Sequence, residues 1–266
     1  MEFQILPISP KTDIFTCIFQ NVRSFTEHIS VVFRHNGIYF QTMDSSRISI
    51  IELTLPNTWF DSYTFTSKSD IVLGISCNIL FKILNAREKQ QTIHFVYDSN
   101  DVLEIHFNQV QPGSGDGKSV FDKHFQCPLL DLEAETLQIP DIEYAAEFTL
   151  PSSTFSTLIN QLKNFGDSLD MECTESRIGL TATSLECGTM SVEVPIDDLD
   201  SFAINEGEQL RMSFSLASLH NICMFNKVTK EIMIRLCSNY PLSVIFPITE
   251  EDAHLKIYLA PKITDM

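Results

Sequence analysis

Leu73-Gly74-Ile75-Ser76-Cys77-Asn78-Ile79-Leu80-Phe81-Lys82-Ile83 and, 139 positions later, Met212-Ser213-Phe214-Ser215-Leu216-Ala217-Ser218-Leu219-His220-Asn221-Ile222 decide how this chain folds. Each begins with apolar residues at alternate positions, Leu73 and Ile75 or Met212 and Phe214. Each then passes a serine, Ser76 or Ser215, into helical spacing, with Leu80 and Ile83 matched by Leu219 and Ile222. A period of two giving way to 3.6 at a serine is a strand feeding a capped helix. Working outward, the same offset lays Pro56, Phe60, Asp61, Ser62 and Tyr63 on Pro195, Leu199, Asp200, Ser201 and Phe202. It lays Ile93, Phe95 and Tyr97 on Ile232, Ile234 and Leu236, and Leu103, Ile105 and Phe107 on Leu242, Val244 and Phe246. At an offset of 140, Phe15, Ile18, Phe19 and Val22 fall on Phe155, Leu158, Ile159 and Leu162. One helix-and-strand unit is used twice.

Most of each copy reads as antiparallel strand. Ser30–Phe33, Gly37–Gln41, Ser49–Leu53, Thr92–Tyr97 and Val102–Phe107 are β-branched and aromatic runs bounded by Asn, Asp, Ser and Gly. Helical spacing is confined to Pro10–Arg23, Cys77–Arg87, Pro151–Phe165 and Ser215–Asn226; Ser9-Pro10 supplies a cap and a first-turn proline. Between the copies Leu129–Tyr144 is acidic, contains Pro140 and holds neither period, so it reads as a linker. The expected organisation is an α+β chain with a domain over 1–128, a connecting loop over 129–144 and a second domain over 145–266.

Composition narrows the function classes. The chain has 266 residues, with 18 Lys+Arg against 35 Asp+Glu for a net charge of −17, and 44% hydrophobic residues. That is too apolar for disorder, and no apolar run approaches the roughly 20 residues of a membrane span. Met1-Glu2-Phe3-Gln4-Ile5 lacks the basic start of a signal peptide. The seven cysteines, 17, 77, 127, 173, 187, 223 and 237, never take Cys-x-x-Cys spacing and read as reduced intracellular thiols.

Enzymatic motifs are weak. Pro112-Gly113-Ser114-Gly115-Asp116-Gly117-Lys118-Ser119 ends like a phosphate-binding loop, but proline stands where the first glycine is required. The following Val120–Pro128 reads as a strand rather than a helix, so the segment is expected to be a hairpin loop. The histidines never take metal-ligand spacing, and His94 and His106 read as strand or surface residues. No nucleophile, base and oxyanion donor assemble. The chain is read as a non-enzyme without catalytic residues, metal or cofactor; nucleotide binding would mark the hydrolase alternative.

Charge placement tells more than total charge. An acidic chain argues against a nucleic-acid partner only if the charge is spread evenly. The four helices carry almost no acid on their polar faces but hold Arg23, Lys82, Arg87, Lys163 and, just beyond the fourth, Lys227.

Three motifs carry a family resemblance. Gln41-Thr42-Met43-Asp44-Ser45-Ser46 followed by Ile48, Ile50, Glu52 and Leu53 resembles the first-domain signature of proliferating cell nuclear antigen, the eukaryotic-type DNA sliding clamp. So do the linker with Leu132, Leu137-Gln138-Ile139-Pro140 and Tyr144, and the C-terminal Leu255-Lys256-Ile257-Tyr258-Leu259-Ala260-Pro261-Lys262-Ile263. The resemblance runs nearly end to end. It implies a ring of three subunits, with antiparallel sheets outside and the helices lining a hole around duplex DNA.

From the resemblance, the function expected is a polymerase processivity factor that binds DNA without sequence readout; the alternative is a clamp-fold subunit of a checkpoint or transcription complex. The implied DNA-facing residues are Arg23, Lys82, Arg87, Lys163 and Lys227. Other family-basic positions hold Thr16, Cys17, Asn85, Thr157, Asn160, Ala217 and Met224, and the family's ubiquitin-accepting lysine falls on Glu175. The implied subunit boundary pairs Val120–Pro128 with Gly188–Val194, through Phe121, Phe125, Cys127, Gly188, Met190 and Val192. The implied pocket for partner peptides comprises Met43, Arg47, Ile48, Ile50, Leu137, Ile139, Pro140, Tyr144, Pro241, Tyr258, Leu259, Ala260 and Pro261. Expected partners are a polymerase, a clamp loader, a ligase and a nuclease, met in the nucleus or at a cytoplasmic replication site of a viral member.

Overall fold

The computed structural model describes residues 1–7, 9–99, 101–109, 121–132, 137–140, 142–249 and 252–263. The glycine-rich loop and part of the acidic linker lie outside the described residues. The chain divides into two compact units. Unit 1 comprises Met1–Thr42, Glu52–Leu137 and Thr249–Ala253, and unit 2 comprises Met43–Ile51, Gln138–Ile248 and His254–Met266.

In chain order the first copy runs β1 (Glu2–Ile5), α1 (Pro10–Asn21), β2 (His28–Arg34), β3 (Gly37–Met43), β4 (Ser49–Pro56), β5 (Ser62–Thr64), β6 (Ile71–Ser76), α2 (Cys77–Asn85), β7 (Ile93–Val96), β8 (Val102–Phe107) and β9 (Lys123–Pro128). The second runs β10 (Ala146–Pro151), α3 (Ser152–Leu162), β11 (Ser168–Cys173), β12 (Arg177–Ser184), β13 (Gly188–Pro195), β14 (Ser201–Ile204), β15 (Leu210–Ser215), α4 (Leu216–Cys223), β16 (Glu231–Leu236), β17 (Leu242–Pro247) and β18 (His254–Leu259). The element orders are identical, and two runs of paired strands recur in each copy. Strands β5-β1-β7-β8-β9 correspond to β14-β10-β16-β17-β18, and β4-β3-β2-β6 to β13-β12-β11-β15.

The period-two reading of the sequence is visible in burial. In β8, Leu103, Ile105 and Phe107 are buried while Val102, Glu104 and His106 are half-buried. Aromatic packing joins helix to strand in unit 1: the Phe15 ring lies 5.9 Å from Phe3 of β1 and 5.6 Å from Phe95 of β7. Phe19 meets Phe40 of β3 at 5.8 Å. In unit 2, Phe225 meets Phe246 at 6.3 Å over the buried α4 stripe Leu216, Leu219 and Ile222. Gly37 turns the chain between β2 and β3 at φ +137°, where a Cβ would lie 2.1 Å from the Leu55 carbonyl oxygen.

The helices are shorter than their apolar spacing suggests, because their last turns tighten rather than continue. After α1 the chain passes into a 3₁₀ turn over Val22–Ser24. Ser9 caps α1 by accepting from the Lys11 N–H at 3.2 Å, and Ser215 caps α4 by accepting from Ser218 at 3.3 Å. Ser76, expected to do the same for α2, makes no side-chain cap bond; the Cys77 N–H instead donates to the Glu27 carbonyl at 2.9 Å. The strand expected from Val120 begins at Lys123. His94 and His106 lie in one cross-strand row with Gln4 and His124.

Candidate nucleic-acid and partner interfaces

Within unit 1 the packing of α1 on α2 brings polar side chains together at the helix ends. Gln20 donates to Asn85 at 3.4 Å, and the Arg23 guanidinium lies over Phe81, its central carbon 3.6 Å from the ring centroid. Such stacking fixes the plane of the cation while its edge keeps N–H donors for a phosphate. Lys82, on the next residue of α2, is exposed. Within unit 2, Lys163 at the end of α3 and Lys227 beyond α4 are exposed as well. Among the described residues none of these four cations enters an ion pair, so their charge is uncompensated in a chain of net −17.

Arg87 departs from the expectation. Its side chain is only 6% exposed, and it donates to Asp13 at 3.2 Å and to the Glu88 and Gln91 carbonyls. Burial lowers its pKa, opposed by the Asp13 charge, and among the described residues its Nε has no partner. A guanidinium committed to its own backbone is a strut, not a DNA contact. Arg87→Met is therefore expected to cost about 1–3 kcal/mol of unfolding free energy through the lost hydrogen bonds. Thermal unfolding checks this; a variant as stable as wild type would refute the strut.

The two strands expected at the subunit boundary both lie at sheet ends. β9 and β13 each end a sheet and have an unpaired outer edge among the described residues. Phe121 is 72% exposed, Gly188 is exposed at φ +82°, and Met190 and Val192 are half-buried. Phe125 packs its ring 5.4 Å from Phe107. Cys127 is a correction: fully buried inside unit 1, its side chain offers nothing to a neighbour.

The peptide-pocket residues fall mostly in unit 2. Asp44 accepts from the Ile48 and Ser49 N–H groups at 2.8 Å each, folding 44–49 into a tight turn with Arg47 exposed at φ +58°. This places Ile48 exposed and Ile50 half-buried, and the Ile48 carbonyl accepts from the Ala260 N–H at 2.8 Å. Of the two backbone groups of Ala260, only the carbonyl thus remains for a ligand. Met43, Ile139, Tyr144, Tyr258 and Pro261 are half-buried, and Pro140 and Pro241 exposed. Leu259 is a further correction, since it is fully buried core opposite Leu242. Leu137 belongs to unit 1, where Gln41 clamps it by accepting from its N–H at 2.6 Å and donating to its carbonyl at 3.1 Å. In the sequence Gln41 and Phe81 are legible only as members of a motif, because a fixed ring or amide is identified by what lies opposite it.

Four buried thiols are shifted away from reactivity. Burial pushes Cys77 and Cys223 up to about 12 and Cys127 and Cys173 up to about 11, opposite to the shift a reactive thiolate needs. Among the described residues no group of three His, Cys, Asp or Glu side chains is placed to hold a metal ion, and no helix is long and apolar enough to cross a membrane.

Comparison with known families closes the assignment. Residues 10–134 match the proliferating cell nuclear antigen N-terminal domain, and residues 138–262 match its C-terminal domain. The two matches follow the internal repeat and between them span nearly the whole chain. With the duplicated strand order, helix-borne cations and edge strands already in place, the chain belongs to the proliferating cell nuclear antigen family of DNA sliding clamps.

Proposed function

We propose that this chain is the processivity factor of a replication machinery. Three copies close into a ring around duplex DNA and tether a polymerase, and in turn ligase and nuclease, without chemistry of their own. The observation that carries the DNA contact is the set of exposed cations Arg23, Lys82, Lys163 and Lys227, without an ion pair among the described residues, on or beside helices of an acidic chain. Phosphate attraction of this kind is independent of sequence, which suits a sliding contact. Ring closure is supported by the two open edge strands, since an unpaired edge is ordinarily covered or joined. A separate loader opens the ring. The site of action is where replication occurs, the nucleus or a viral replication site in the cytoplasm.

The test is the fourfold variant Arg23→Ala, Lys82→Ala, Lys163→Ala, Lys227→Ala. Primer extension is expected to give products roughly tenfold shorter, and the dependence of DNA affinity on salt to become shallower. Native mass is expected to stay that of the wild type. Undiminished product length in this variant would refute the proposed contact.

A further inference from the structure

The internal repeat makes positions in the two units comparable, and one comparison singles out a histidine. At the offsets of the repeat, Arg23 corresponds to Lys163, Gln20 to Asn160 and Phe81 to His220. Unit 1 therefore sets its cation on a ring that has no charge to acquire. Unit 2 puts a titratable ring in the same place.

The hydrogen bonds define how that ring is held. His220 Nδ1 lies 2.7 Å from Asn160 Oδ1. The Asn160 amide nitrogen points to Ser156 Oγ at 3.5 Å, so its oxygen faces the imidazole and accepts from an Nδ1–H. The neutral ring is thereby locked with its lone pair on Nε2, and Nε2 makes no hydrogen bond among the described residues. A lone pair repels a phosphate oxygen; an added proton turns it into a charged donor.

The elements packed most extensively against α4 are α3 and β15. The charged residues they bring are Lys163, at the end of α3, and Arg211, which is tied to Glu172 on the sheet. Neither offers His220 a carboxylate. Burial first, and then the Lys163 charge, hold the imidazole below its ordinary range, so the free ring is neutral near pH 7.

We propose that His220 is a conditional phosphate contact of unit 2: it meets the DNA backbone through Nε2 only after taking up a proton from solvent, so DNA binding by this chain strengthens as the pH falls. This rests on the DNA-facing role proposed above for the helices. The sign follows from linkage. A phosphate beside Nε2 favours the protonated ring, so the bound state holds more protons than the free state, and lowering the pH favours it.

The experiment measures anisotropy of a labelled double-stranded oligonucleotide at low salt for wild type, His220→Phe and the fourfold alanine variant. Between about pH 8 and about pH 6, wild-type affinity is expected to rise about fivefold, and His220→Phe, which repeats the ring of unit 1, less than about twofold. In the wild type, the His220 imidazole is expected to titrate at higher pH once duplex is added, as followed by NMR. Equal pH dependence in wild type and His220→Phe, or no displacement of the imidazole titration by DNA, overturns the inference. If the fourfold variant has meanwhile lost binding, the DNA-facing reading survives that result. Wild-type binding by the fourfold variant at both pH values would instead remove the reading on which the inference stands.

Discussion

Met190→Glu is expected to reduce the native mass from about three times 30.2 kDa to 30.2 kDa and to abolish processive synthesis while each subunit stays folded. Met190 lies on β13, the end strand of its sheet, opposite Ala182 of β12. It is half-buried within its own unit, so a charged side chain of similar length is tolerated there by the isolated subunit. In a closed ring that margin is covered by a neighbouring strand, and an unpaired buried carboxylate costs about 3–5 kcal/mol. Phe125 is the poorer probe, because its ring also packs on Phe107 and a charge there would disturb unit 1 itself. Native mass spectrometry with circular dichroism decides the matter. A folded Met190→Glu protein that keeps the trimer mass would place the boundary elsewhere.

Ile139→Ser and Leu259→Ser are expected to part company. Ile139 is half-buried within the connecting segment, and truncating an anchor of this kind costs about 2 kcal/mol of binding, roughly thirtyfold in affinity. Its loss should weaken a peptide carrying a glutamine, an aliphatic residue and two aromatics, with little change in thermal stability. Leu259 is fully buried, so the serine leaves a cavity and an unsatisfied hydroxyl, costing about 3–5 kcal/mol of folding free energy. Its melting temperature should fall whether or not peptide is present. Titration calorimetry and thermal unfolding, run on both variants, separate the two effects. Wild-type affinity in Ile139→Ser would move the docking site.

Leu259 shows why part of the candidate site was illegible. In Leu255–Leu259 the apolar positions alternate, and a motif match cannot say which phase faces a ligand and which faces the core. The pairing of Leu259 with Leu242 decides it. Cys127 has the same history on β9. Arg87 misled for a different reason: its charge is plain from sequence, but its burial beside Asp13 depends on a contact across 74 positions.

The duplicated architecture, by contrast, was determined by local information. Alternation and helical spacing are properties of neighbouring residues, and an offset of 139 or 140 compares two such local patterns without knowing where either lies in space. The repeat, the order of its elements along the chain and the cations at the helix ends follow from that. What only the tertiary structure decided is which charges are free. Arg23 lies on Phe81, Lys163 stands beside a histidine held by Asn160, and Arg87 is spent on its own backbone. A charged side chain reaches several ångströms from its Cα, and whether it ends on a ring, a carbonyl or water is fixed by packing partners distant in the chain.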